Sequence, residues 1–168
     1  MNSSRSKPVR FITEAAAIAA MYAALTIFLA PISSGEFQLR IAEALTVLPF
    51  FTPAAIPGLF VGCLIANIFA GQGFYDMVLG PFATLLAAFI TWKMPRKYLA
   101  PLPPIIINAV YVGILLYFVA NLPILPTMLL VAVSETIACY GLGYPFMLLI
   151  EKHSKRIFGH DGQNIGRQ

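Results

Sequence analysis

Glu135 stands inside a long apolar run, about ten residues from its start near Leu125. At that depth it lies close to the middle of a bilayer's hydrocarbon, where an ionised carboxylate is costly unless paired or hydrated. A carboxylate placed there can contact a ligand, relay a proton, hold an ion, or pair structurally with Arg40 or Asn108. A second constellation is the segment from Ser33 to Glu43. Its Glu36, Arg40 and Glu43 are three or four residues apart, so on a helix they share a face and can form a charge-assisted network. Gln38, Arg40 and Glu43 lead directly into an apolar run and are expected to line a pocket, partly desolvated, whereas Glu36 alone reads as a solvated loop residue. Asn67 and Asp76 fall near the outer ends of neighbouring apolar segments and can face a common cavity with Phe74, Tyr75, Tyr111 and Tyr117. Each of those aromatics, taken singly, suits an interfacial belt or a core position.

Two further patterns concern packing. Ala15, Ala19 and Ala23 form one row at spacing four, beside a parallel row of Ala16, Ala20 and Ala24. Side chains this small let another helix backbone come close. The face they form is expected to dock either a partner or another helix of the same chain. A similar row, Gly58, Gly62 and Ala66, is assigned to internal packing.

The elements that must hold these residues are set by composition. Of 168 residues, 59% are hydrophobic and 11% charged, against about 25% charged in a typical soluble domain. Unbroken runs rich in Ala, Leu and Ile exclude the alternating pattern of a transmembrane barrel. An all-α integral membrane protein in one compact domain follows. Cut at Pro, Gly and charged residues, the apolar segments run at about 9–30, 41–51, 54–70, 77–92, 104–120 and 125–150. The second is short and broken by prolines, so the count is five or six.

Charge decides between them, because Lys and Arg accumulate in cytoplasmic loops. Six crossings put Arg5, Lys7 and Arg10, then Lys93, Arg96 and Lys97, then Lys152, Lys155, Arg156 and Arg167 on one side. Five would place the central cluster opposite the others. The reading is therefore six transmembrane helices with a short second helix, both termini cytoplasmic, Trp92 and Tyr98 at the inner interface, and Arg40 as the one basic residue outside. It divides the chain into a cytoplasmic segment 1–9, a six-helix domain 10–151 and a basic tail 152–168. The first apolar run is too long for the core of a cleaved signal peptide.

Other chemistries are set aside. The net charge of +4 comes from clusters that mark topology, so no nucleic-acid partner is expected. Cys63 and Cys139 lie far apart in apolar segments and read as small buried hydrophobes. His153 and His160 fall in the polar tail, so no metal centre is expected. There is no GxxxxGK[ST], HExxH or GxSxG, which argues against an enzyme and against nucleotide binding by this chain.

The runs Pro31-Ile32-Ser33, Gln38-Leu39-Arg40-Ile41-Ala42-Glu43-Ala44-Leu45-Thr46-Val47-Leu48-Pro49-Phe50-Phe51 and Ile56-Pro57-Gly58-Leu59-Phe60-Val61-Gly62-Cys63-Leu64-Ile65-Ala66-Asn67 resemble the queuosine-precursor transporter family, QueT. Asp76, Gly80, Ala83 to Leu86, Pro103-Pro104, Asn108 and Ser134-Glu135 extend the likeness to most of the chain. The resemblance implies a six-helix S component of an energy-coupling factor (ECF) transporter in the cytoplasmic membrane, which binds a deazaguanine base from outside. It implies as partners a transmembrane T component, docked on the alanine face of the first span, and two cytoplasmic ATPases that use the ATP. No cofactor is expected on this chain. The site residues it suggests are Gln38, Arg40, Glu43, Asn67, Asp76 and Glu135. An S component for another vitamin or purine-like solute, or a self-sufficient carrier with Glu135 as relay, are the alternatives.

Overall fold

The computed structural model describes residues 3–33, 41–71 and 73–157. Helix α1 spans Ser3–Ser33, and after it comes a 3₁₀ helix, Ile41–Phe50. Then follow α2, Ala55–Phe69; α3, Phe74–Trp92; α4, Leu102–Ala120; and α5, Ile124–Thr136. The last passes through a π-helical segment, Ile137–Gly143, into α6, Tyr144–Ile157. Among the described residues there are no strands. Among the described residues, counting α5, the π segment and α6 as one continuous rod and leaving aside a single 3₁₀ turn at Lys97–Leu99, the bundle has six helices with a short second one, an all-α membrane fold.

Among the described residues, four helical stretches are long and apolar enough to cross a membrane: Pro8–Leu29, Phe74–Trp92, Lys97–Ala120 and Ile124–His153. Large apolar side chains cover their outside, among them Phe28, Phe118 and Leu125, each more than 70% exposed. In water such a shell would be an aggregation surface; in a bilayer it meets lipid tails.

The second helix departs from expectation in its winding, which is 3₁₀ and not α. Pro49 lies inside it and removes a donor, and the Thr46 hydroxyl donates to the Glu43 carbonyl three residues back (2.6 Å). At about 2 Å per residue the tighter coil reaches about 20 Å in ten residues, further than an α-helix of that length. A run this long is uncommon, and its hydrogen bonds are poorer, so it needs shelter. Residues Ala42 to Pro49 are all buried, against α1, α2, α3, α6 and the π segment. Irregular backbone at membrane depth is tolerated where protein surrounds it.

Helix directions follow from who meets whom. A Cβ built on Gly58 would stand 2.7 Å from the Ala15 carbonyl oxygen, and one on Gly62 2.9 Å from that of Ala19, so α1 and α2 run parallel. The 3₁₀ helix runs the other way. Its start meets α1 at Tyr22, whose hydroxyl donates to Glu43, and just past its end Thr52 donates to Glu14. Asn67 reaches Asp76 across the α2–α3 turn, where Gly71 takes a positive φ of 66°. Thr91 donates to the Ala100 carbonyl between α3 and α4, and Asn108 reaches Glu135 between α4 and α5. Successive elements therefore alternate in direction, and the ends carrying Arg10, Lys93–Lys97 and Lys152 gather at one side of the bundle. There Lys97 pairs with Glu151 at 3.0 Å.

This arrangement predicts that Cys introduced as Lys97→Cys and as Lys152→Cys is labelled by an impermeant maleimide from the same face of the membrane. Asn121→Cys, at the far end of α4, should be labelled from the opposite face. Native Cys63 and Cys139 are buried and should stay silent. Labelling of positions 97 and 121 from one side would break the alternation.

Candidate functional site

The 3₁₀ helix and the π segment pack on each other in the middle of the bundle. Gly143 allows it, since a Cβ there would come within 3.0 Å of the Ala44 carbonyl oxygen. Two buried carboxylates meet at this seam, Glu43 (1% exposed) from the 3₁₀ helix and Glu135 (4%) from the last turn of α5. The Tyr22 hydroxyl donates to Glu43 Oε1 at 2.7 Å. The Asn108 amide donates to Glu135 Oε1 at 3.1 Å. Cys139 stands between the two acids. Its thiol lies 3.7 Å from Glu135 Oε2 and 3.6 Å from the Glu43 carbonyl oxygen, with the Thr46 hydroxyl at 3.8 Å. Glu43 thus lies deeper than an outer loop would put it: the 3₁₀ helix carries it inward to the level of Tyr22.

A second polar group lies toward the outer end. Asp76 is in the first turn of α3, where the helix N-terminus favours a negative charge. The Tyr111 hydroxyl donates to its Oδ1 at 2.9 Å. The Asn67 amide donates to the Asp76 carbonyl oxygen at 2.9 Å and points toward the Cys63 sulfur, 3.6 Å away. Thr84 donates to that same sulfur at 3.5 Å. Gly80 keeps the group tight, because a Cβ there would meet Asn67 Nδ2 at 2.9 Å and Asp76 Oδ1 at 3.1 Å.

Of the residues singled out from sequence, Glu43 and Glu135 come together around Cys139, while Asn67 and Asp76 come together around Gly80. Gln38, Arg40 and Glu36 lie outside the described residues. Asn108, assigned to an interhelical bond, bonds to Glu135. Among the four outer aromatics Tyr111 donates to Asp76; Phe74, Tyr75 and Tyr117 are exposed. Asn121 belongs to neither group: with φ 54° it caps α4 in the left-handed conformation.

Cys139 is buried, as expected, but its thiol also meets the Glu135 carboxylate and the backbone carbonyl of Glu43, so it is not only a hydrophobe. Tyr22, which no motif marks, joins the site through Glu43. The signal was present, since a tyrosine in mid-span needs a partner for its hydroxyl.

The two alanine rows separate. Ala19 and Ala23 are buried and Ala15 half-buried against α2, with Gly58 and Gly62 opposite, while Ala16, Ala20 and Ala24 are exposed. The first row is spent on internal packing because glycine on α2 draws the two backbones together. The second row is open.

Chemically, the deep seam offers carboxylate oxygens already oriented by neutral donors, suited to accept parallel N–H groups from a flat ligand. The outer group offers a carboxylate suited to a cation. Comparison with curated proteins and with solved structures finds no match. A family model, QueT transporter, matches residues 12–152. With that match over most of a helical membrane bundle that buries two acids at its centre, the chain belongs to the QueT transporter family.

Proposed function

We propose that the chain is the substrate-binding S component of an ECF-type ATP-driven importer in the cytoplasmic membrane, capturing a deazaguanine base from outside. The observation that carries this reading is the pair of buried carboxylates, Glu43 and Glu135, held at mid-depth by Tyr22, Asn108 and Cys139. A guanine-like edge presents a ring N–H and an exocyclic amine in parallel, and one carboxylate accepts both. Asp76 is placed to pair with an aminomethyl cation on the same ligand. Gln38 and Arg40 complete the set from the segment before the 3₁₀ helix.

In this reading the chain binds and its partners do the work. The exposed row Ala16, Ala20 and Ala24 docks the T component, and two cytoplasmic ATPases supply the energy. Both termini lie in the cytoplasm, since the basic clusters share one end of the bundle.

The test is reconstitution. In liposomes the chain alone should bind radiolabelled 7-aminomethyl-7-deazaguanine without accumulating it, and ATP-dependent uptake should appear when the T component and ATPases are added. Gradient-driven accumulation by the chain alone would instead identify a self-sufficient carrier. Retention of only a vitamin in a binding panel would keep the architecture and replace the substrate.

A further inference from the structure

Helix α3 has two unlike faces. Thr84, Ala87, Ala88 and Thr91 are buried in the bundle, while Phe82, Leu86 and Phe89 are exposed. Those three and Lys93 follow at spacings of four, three and four, so they form one stripe along the outside of the helix. The stripe ends in charge: the Lys93 ammonium stands over the Phe89 ring, 4.4 Å from its centroid. From Phe82 to Lys93 it rises about 16 Å, close to the roughly 15 Å of hydrocarbon in one leaflet. Trp92, whose ring lies 5.9 Å from that of Phe89, marks the headgroup level, where amphipathic rings collect.

The loop beyond Lys93 carries Arg96 and Lys97, and they are held differently. Lys97 is paired with Glu151 at 3.0 Å. Arg96 lies over the Tyr98 ring, 5.9 Å from its centroid, and donates to the Tyr98 hydroxyl at 2.8 Å. Lys93 and Arg96 are both exposed, and among the described residues neither has a carboxylate partner. An aromatic face attracts a cation without neutralising it, so both keep their charge for an anion. The loop itself is anchored from two sides: the Tyr140 hydroxyl donates to the Tyr98 carbonyl at 2.8 Å, and the Thr91 hydroxyl to the Ala100 carbonyl at 3.3 Å. Three residues of chain keep the Lys93 and Arg96 Cα atoms within about 11 Å, and side chains of this length can converge on one phosphate.

We propose that this corner of the bundle binds one anionic glycerophospholipid, its phosphate held by Lys93 and Arg96 and one acyl chain laid along Phe89, Leu86 and Phe82. Charge complementarity selects the occupant. A zwitterionic headgroup brings a cation of its own toward two cations, whereas an anionic one does not. The site needs neither substrate nor partner subunit, and it lies on α3 and its loop, not on the exposed alanine row of α1.

The test is native mass spectrometry of the purified full chain in a neutral detergent, where no charged membrane surface adds attraction of its own. Titrated with equal amounts of dioleoylphosphatidylglycerol and dioleoylphosphatidylcholine, the parent should retain one molecule of the first, preferred about tenfold over the second. Lys93→Gln and Arg96→Gln should each weaken that retention about tenfold, the value of one hydrogen bond to a charged group. Lys152→Gln, which removes an exposed cation at the same end of the bundle, should leave it within about twofold. Lys93→Arg and Arg96→Lys keep the charge and should keep the lipid. Excess inorganic phosphate or glycerol 3-phosphate should not displace it, since neither has a chain to lay on the stripe. All three positions are exposed, so melting curves should match the parent's. Equal retention of the two lipids, equal loss in the three glutamine variants, loss in the charge-keeping variants, or displacement by the soluble phosphates would each overturn the site.

Discussion

Glu135→Gln is expected to weaken binding of a deazaguanine base by about a hundredfold, the loss of a charge-assisted bond plus a donor facing a donor. The substitution keeps the shape of the side chain. Its amide oxygen can still accept from Asn108, where Glu135 Oε1 now lies 3.1 Å away, and its amine can approach the Cys139 sulfur. The bundle should therefore fold and elute as the parent does. What changes is the second oxygen, which becomes a donor where the ligand also donates. Glu43→Gln, whose amide oxygen likewise keeps the bond from Tyr22, should cost less, about tenfold, because in this reading Glu135 and not Glu43 meets the ring edge. Isothermal calorimetry on both variants decides the roles. A larger loss for Glu43→Gln would assign ring recognition to Glu43, and near-unchanged binding in both would remove the seam from the site.

The expectation about Glu135 came from depth alone, and depth is what a sequence reports well in a membrane protein. Apolar run lengths mark the spans, and lysine and arginine mark the side. Both follow from the bilayer as solvent, so the six-helix reading and the shared side of the basic clusters were accessible without coordinates. Winding was not. The stretch around Glu43 reads as a broken α-helix because Pro49 interrupts it, and only packing on five neighbours makes a ten-residue 3₁₀ helix tenable. Burial among those neighbours, with the Tyr22 hydroxyl as partner, is what sets Glu43 at the level of Tyr22.

Partners across helices were also out of reach. Cys139 sits four residues from Glu135 on the same rod, but its approach to the Glu43 carbonyl depends on the π segment and on Gly143 against Ala44. Local sequence does not specify a π segment. The same holds for the alanine rows. Spacing placed two small faces on α1, and only the position of Gly58 and Gly62 tells which one is spent inside.

That difference between neighbouring rows gives the second large effect. Gly62→Leu should abolish accumulation of folded protein. A Cβ at this position meets the Ala19 carbonyl oxygen at 2.9 Å, Tyr22 Cβ at 3.0 Å and Ala19 Cα at 3.1 Å. Two of those atoms are backbone and cannot rotate away, so the helices must part. Overpacking a well-filled interface costs about 1–3 kcal/mol where side chains can adjust, and here they cannot. Parting α1 from α2 also pulls Tyr22 from Glu43, so any protein that survives should bind ligand poorly. Ala20→Leu adds the same side chain one residue from Ala19, on the exposed row. It should leave thermal stability and ligand affinity near those of the parent and abolish only ATP-driven uptake with the partner subunits. Size-exclusion yield, a melting curve, a binding isotherm and an uptake assay on the two variants separate the faces. Normal uptake by Ala20→Leu would place the partner elsewhere, and a stable, ligand-binding Gly62→Leu would mean that α1 and α2 do not touch as closely as these contacts require.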